Sequence, residues 1–98
     1  MTLKEQVEDI LKTIPETRNS DIKLTLNIWV KFFPEKVKIV DEERYVKMKD
    51  LYDLPREDNV KRIRAKFNEK RLYLPTNPEV LRRRRLKEQE WRQDMLNF

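Results

Sequence analysis

Ninety-eight residues without a single glycine constrain this chain more than any motif does. Glycine is the residue that enters left-handed backbone geometry without steric cost, so turns here must use Pro, Asn, Asp and Ser. A glycine-rich loop that cradles phosphate is excluded outright. Cysteine and histidine are absent too, which removes disulfides, thiolate chemistry, Cys/His zinc sites and imidazole acid-base catalysis together. Charged residues make up 42% of the sequence against 38% hydrophobic. That is enough for one modest core in a single domain, residues 1–98, with much of the helical surface in water. The longest apolar runs are three residues, such as Ile28 to Val30, so no membrane span is expected, and Met1-Thr2-Leu3-Lys4 opens no secretory signal. The expectation is an intracellular, cytoplasmic protein.

Thr2 to Ile14 reads as the clearest helix. Leu3, Val7, Ile10, Leu11 and Ile14 line one face, and Thr2 with Glu5 makes a capping-box pattern. Pro15 ends it, and a polar connector follows to Ser20, a good N-cap for the next element. Ile22 to Phe33 reads two ways. Ile22, Leu24, Leu26 and Ile28 alternate as in a strand, whereas Ile22, Leu26, Trp29 and Phe33 fit one helix face. Helix is preferred because the run is about twelve residues long, dense in apolar residues on both sides of Trp29, and preceded by a cap. Trp29, Phe32 and Phe33 are then assigned to the core. Beyond Pro34, Val37, Ile39 and Val40 form one β-prone patch and Tyr45-Val46-Lys47-Met48 another, across the acidic turn Asp41-Glu42-Glu43. The two pair as a hairpin, or one serves as the lone strand ahead of a helix-turn-helix.

Leu51 to Phe67 has the syntax of a helix-turn-helix. Leu51 and Leu54 anchor a short first element, Pro55 breaks it, and Val60, Ile63 and Phe67 then recur at i, i+3 and i+7 on a basic amphipathic helix over 56–70. Arg71-Leu72-Tyr73-Leu74 alternates and is stopped by Pro75, as one strand of a small wing would be. Asn77 and Pro78 open a last helix as N-cap and first residue, reaching Asp94 or beyond. The fold class expected is mainly α with a small β element. It is a winged helix-turn-helix-like domain with an N-terminal helix (1–15), a core over 20–76 and a long basic C-terminal helix (77–98).

Met48-Lys49-Asp50-Leu51-Tyr52-Asp53-Leu54-Pro55, followed by Asn59 to Asn68, resembles small uncharacterised phage and prophage proteins of winged-helix type. Pro15 to Asp21 and Leu74 to Val80 look similar too, so the likeness touches residues from about 13 to 94. The resemblance implies a fold and a viral setting, and no activity that transfers to individual residues.

Net charge is +5, unevenly spread: residues 1–35 carry five basic and six acidic groups, 36–55 five of each, and 56–98 thirteen basic and seven acidic. A positive C-terminal half suits nucleic acid or an acidic partner. On the 56–70 helix, Arg62, Ala65 and Glu69 lie most nearly opposite the apolar stripe, flanked by Lys61 and Lys66; the basic side chains could contact phosphates or a guanine edge, and Ala65 a thymine methyl. Lys70, Arg71 and Tyr73 extend that candidate surface, Tyr73 as a stacking residue or a half-buried strand tyrosine. The plain alternative is a solvated face. Glu57 and Asp58 oppose DNA at the helix start but suit its dipole.

Arg82, Arg83, Arg84 and Arg85 spread around the last helix at ~100° each, so only some can touch one partner. They are a second contact surface or part of a salt-laced solvent helix. Trp91, Met95 and Phe98 fall near one side of it, as anchors for a protein partner or a homodimer. The acidic groups Asp41/Glu42/Glu43 and Glu57/Asp58 have no second ligand set with metal-site spacing, so no metal, cofactor or catalytic residue is expected. The leading expectation is a non-enzymatic phage-type winged-helix protein that contacts duplex DNA through a basic helix, as a regulator. The alternatives are a protein-binding inhibitor of a host protein, including a host-defence or CRISPR inhibitor, and a structural or accessory phage protein.

Overall fold

The computed structural model describes the backbone of residues 1–96 and the side chains of residues 1–87, 89 and 90. Its elements run α1 (Leu3–Thr13), α2 (Asp21–Phe32), β1 (Val37–Val40), β2 (Glu43–Val46), α3 (Met48–Leu51), α4 (Glu57–Glu69) and α5 (Pro78–Leu96). Short 3-10 turns at Pro15–Asn19 and Pro34–Lys36 join the first of them. The chain is therefore mainly helical with one small antiparallel sheet.

Local signals start the helices as the sequence predicts. The Thr2 hydroxyl accepts the Glu5 backbone N–H at 3.2 Å while the Glu5 carboxylate accepts the Thr2 N–H, a reciprocal capping box. Ser20 caps α2 by accepting the Lys23 N–H at 3.3 Å, and Asn77 caps α5 by accepting the Glu79 N–H at 2.9 Å. The alternation in 22–33 is thus carried on a helix.

The core forms where α1, α2 and α4 converge. Val7, Ile10 and Leu11 of α1, Leu24 and Ile28 of α2, and Val60 and Phe67 of α4 are buried in one cluster, with Leu3, Ile14, Phe32, Phe33, Ile63 and Tyr73 packed around it. Truncating one of the aliphatic residues to alanine would cost about 2–5 kcal/mol. The inward face of α2 differs from the predicted one. Leu24, Thr25 and Ile28 point into the core, Trp29 is only half-buried, and Ile22 and Leu26 are 59% and 46% exposed. Thr25 can be buried because its hydroxyl donates to the Asp21 carbonyl at 2.8 Å.

The two β-prone patches pair as a hairpin, with Val37 opposite Val46, Lys38 opposite Tyr45, Ile39 opposite Arg44 and Val40 opposite Glu43. Its two-residue turn places Asp41 at φ 51° and Glu42 at φ 68°, the left-handed pair that a type I′ loop requires. The second strand stops at Val46, and Met48 starts α3. The hairpin thus lies between α2 and α3.

The wing strand expected at Arg71–Leu74 is not formed. The Leu72 N–H donates to the Phe67 carbonyl and the Arg71 N–H to the Asn68 carbonyl, each at 2.9 Å, which is a Schellman cap on α4. Arg71 sits at φ 60° and Tyr73 at φ 52°, incompatible with an extended strand. The Asn68 amide locks this geometry by donating to the carbonyls of Leu72 and Tyr73 at 3.0 and 3.1 Å. The left-handed positions of a glycine-free chain thus fall to Asp, Glu, Arg and Tyr, where the sequence reading expects only Pro, Asn, Asp and Ser.

Candidate nucleic-acid interface

α4 is held by its inner side. Val60 and Phe67 enter the core, and Arg64, only 7% exposed, forms a two-pronged ion pair with Asp21 at the start of α2, Nε to Oδ1 and Nη2 to Oδ2 at 2.9 Å each. Its remaining Nη1 donates to Asn68 Oδ1 at 3.3 Å. Planar forks of this kind fix orientation as well as contributing charge attraction. Sequence reasoning did not single out Arg64. The signal was its spacing, four residues after Val60 and three before Phe67, which puts a cation on the inward face.

The opposite side of α4 presents Lys61, Arg62 and Lys66 to solvent, with Ala65 half-buried between them. Lys70 and Arg71 continue the exposed basic surface into the helix cap. Of the ion pairs among the described residues, Lys31–Asp9, Lys36–Asp53 and Arg64–Asp21, none engages these five cations.

Toward α1, the surface acquires a depression of about 320 Å3, floored by Ile63 and Phe67 and ringed by Lys4, Lys66, Lys70 and Glu69. Lys4, a residue the sequence did not nominate, lies with its Nζ 5.9 Å from the Phe67 ring centroid, within cation–π range. Only the packing of α1 against α4 brings it beside Lys66 and Lys70, so no one-dimensional spacing reveals it.

Tyr73 is placed differently from its fellow candidates. Its ring meets Phe67 edge-on, centroids 5.5 Å apart at 79°, and the Arg18 guanidinium lies 5.5 Å from its centroid. It is half-buried at the margin of the core rather than displayed.

The arginines of α5 divide. Arg84 is half-buried, and its Nη1 donates to the Arg18 carbonyl at 2.9 Å, docking α5 on the Pro15–Asn19 turn. Burial, then the neighbouring Arg64 charge, lowers its pKa, with Asp21 opposing. Asn19 adds two contacts to the same joint, donating to the Thr76 hydroxyl at 2.9 Å and accepting the Asn77 N–H at 3.0 Å. Arg82, Arg83 and Arg85 are exposed. The four therefore do not act as one patch. The side chains of Trp91 and Met95, and Phe98 altogether, lie outside the described residues.

A second basic cluster, also unforeseen, sits on the hairpin and the residues after it. Lys47 crowds Lys38, and with Lys49 lowers the Lys38 pKa, partly offset by Asp50. On the same hairpin the Tyr45 hydroxyl donates to Glu43, which raises the tyrosine's pKa.

Among the described residues no three carboxylates gather as a metal site would require, and no helix is long and apolar enough to cross a membrane. No protein-family model, curated protein or solved structure matches this chain.

Proposed function

We propose that the chain is a non-enzymatic, duplex-DNA-binding protein of helix-turn-helix type that lays the outward face of α4 against the phosphates and base edges of a groove. The observation that carries this reading is the row Arg62, Lys66 and Lys70 at i, i+4 and i+8, with Lys61 to one side of it, all solvent-facing and outside every ion pair among the described residues, on a helix anchored from behind by Arg64 and the core. An α-helix with its side chains is about 10–12 Å across and a B-form major groove about 12 Å wide, so the thirteen residues of α4, about 20 Å long, can lie along the groove. Glu57 and Asp58 occupy its first turn and repel phosphate there. Contacts thus fall on the middle and C-terminal parts of the helix, where Lys4 adds a third ammonium to those of Lys66 and Lys70.

The winged-helix form of this proposal takes a modified shape. The hairpin, with Lys38 and Arg44 on its strands, Lys47 just after it and the acidic Asp41, Glu42 and Glu43 at its tip, precedes the α3–turn–α4 unit, so it would act as an arm in front of the reading helix, touching DNA by its base, and not as a wing behind it. A regulator in a phage setting is the biological reading that follows from the sequence resemblance.

Titration of a labelled duplex at several salt concentrations tests the proposal. Each neutralised phosphate contributes a slope of about −0.9 in log K against log salt, so Arg62→Ala with Lys66→Ala should flatten the slope by about 2. An unchanged slope removes α4 from the interface. Nuclease-resistant capture of a single host protein from lysate, with no duplex affinity at low salt, would replace this reading with the protein-binding inhibitor.

A further inference from the structure

We propose that the outer face of α2 and the α3–α4 turn form a self-complementary surface on which a second copy of this chain docks. A groove of about 450 Å3 lies there, walled by Ile22, Leu26, Trp29, Leu51, Leu54 and Pro55. It is built into the fold. The Trp29 indole Nε1 donates to the Pro55 carbonyl at 2.8 Å, which ties the turn to α2, and Leu54 is buried beneath it. Ile22 and Leu26 nevertheless remain in water on the side of α2 that the core does not use.

The same segment that walls the groove also carries a projection. Met48 and Tyr52 are 82% and 88% exposed, beside Leu51 and Leu54. A twofold interface brings one patch against its own image, so an exposed side chain next to a hollow on one copy meets the hollow next to an exposed side chain on the other. Each Tyr52 then enters the other copy's groove, and tyrosine and methionine are the side chains that protein interfaces favour.

The rim charges point to the same occupant. Arg56, Glu57 and Asp58 line the groove, and none belongs to an ion pair among the described residues. A rim of one sign would repel its own copy, whereas this one offers Arg56 of each chain to Glu57 and Asp58 of the other. The surface leaves Lys4, Lys66 and Lys70 uncovered. It goes beyond the nucleic-acid reading and stands without it.

Sedimentation equilibrium on the intact chain, from micromolar to millimolar concentration, tests the dimer. Tyr52→Ala and Leu26→Lys change exposed side chains, and circular dichroism checks that each variant folds. The expected result is a reversible monomer–dimer equilibrium weakened at least about tenfold by either change, because few residues dominate such interfaces. Arg56→Glu should weaken it too, and mixing that variant with a Glu57→Lys/Asp58→Lys variant should restore association as a mixed dimer. A wild-type chain that stays monomeric to ~1 mM, or one whose association constant is unmoved by Tyr52→Ala and Leu26→Lys, would overturn the proposal.

Discussion

Replacing Arg71 with glycine should stabilise this protein, although it deletes a side chain and a charge. Arg71 holds the left-handed position of the α4 cap at φ 60°, fixed by the hydrogen bonds from the Arg71 and Leu72 amides back to Asn68 and Phe67. A residue with a Cβ is strained there by about 1–2 kcal/mol relative to right-handed geometry. Glycine removes that strain but enlarges the unfolded ensemble, an offset of about 0.4–1 kcal/mol. The net gain expected lies within about 0–1.6 kcal/mol, centred on about 0.8, or about 3–6 °C in Tm at that centre for a domain of this length. Arg71 is exposed and in no ion pair among the described residues, so little packing is lost. Arg71→Ala keeps the Cβ and loses the charge, and should stay within about 0.5 kcal/mol of wild type. Urea and thermal unfolding of the three proteins measure the differences. Equal stability of the glycine and alanine variants would refute the strain argument.

Asp21→Ala should cost about 3–5 kcal/mol, since it strands the buried Arg64 guanidinium with only its 3.3 Å contact to Asn68. Adding Arg64→Leu should recover part of that loss, and a double-mutant cycle by urea unfolding would expose strict additivity as the contrary result. Absorbance titration should find Tyr45 ionising above the ordinary tyrosine range, and Tyr45→Phe should abolish that late phase. The shift arises because Tyr45 donates to Glu43. A folded-state pKa above the unfolded one means this bond's support for the hairpin is full below about pH 10 and is lost as pH rises through the folded value.

Much of the architecture was legible because its signals are local. Thr2/Glu5, Ser20 and Asn77 cap their helices through bonds spanning three residues or fewer, so the residues that form each cap stand together in the sequence. The outward basic face of α4 follows likewise from its 3.6-residue period. Arg71-Leu72-Tyr73-Leu74 misled for the converse reason. Alternation describes which side chains are apolar, and it carries no information on the competition between a strand and a helix cap for the same backbone amides. The cap prevails here because Asn68 supplies two further bonds to the turn.

The sequence by itself determined the helices, their caps, the β-prone pair and the basic outer stripe of α4, all consequences of contacts between residues close along the chain. Tertiary structure decided what long-range partners alone can decide. Arg64 became a buried anchor because Asp21, forty-three residues earlier, meets it across the α2–α4 contact. Lys4 joined Lys66 and Lys70 because α1 packs on α4. The inward side of α2 is Leu24, Thr25 and Ile28 because α1 and α4 converge there, and that choice left Ile22 and Leu26 facing water. A helical period defines faces, and only the neighbours that cover one of them decide which is buried.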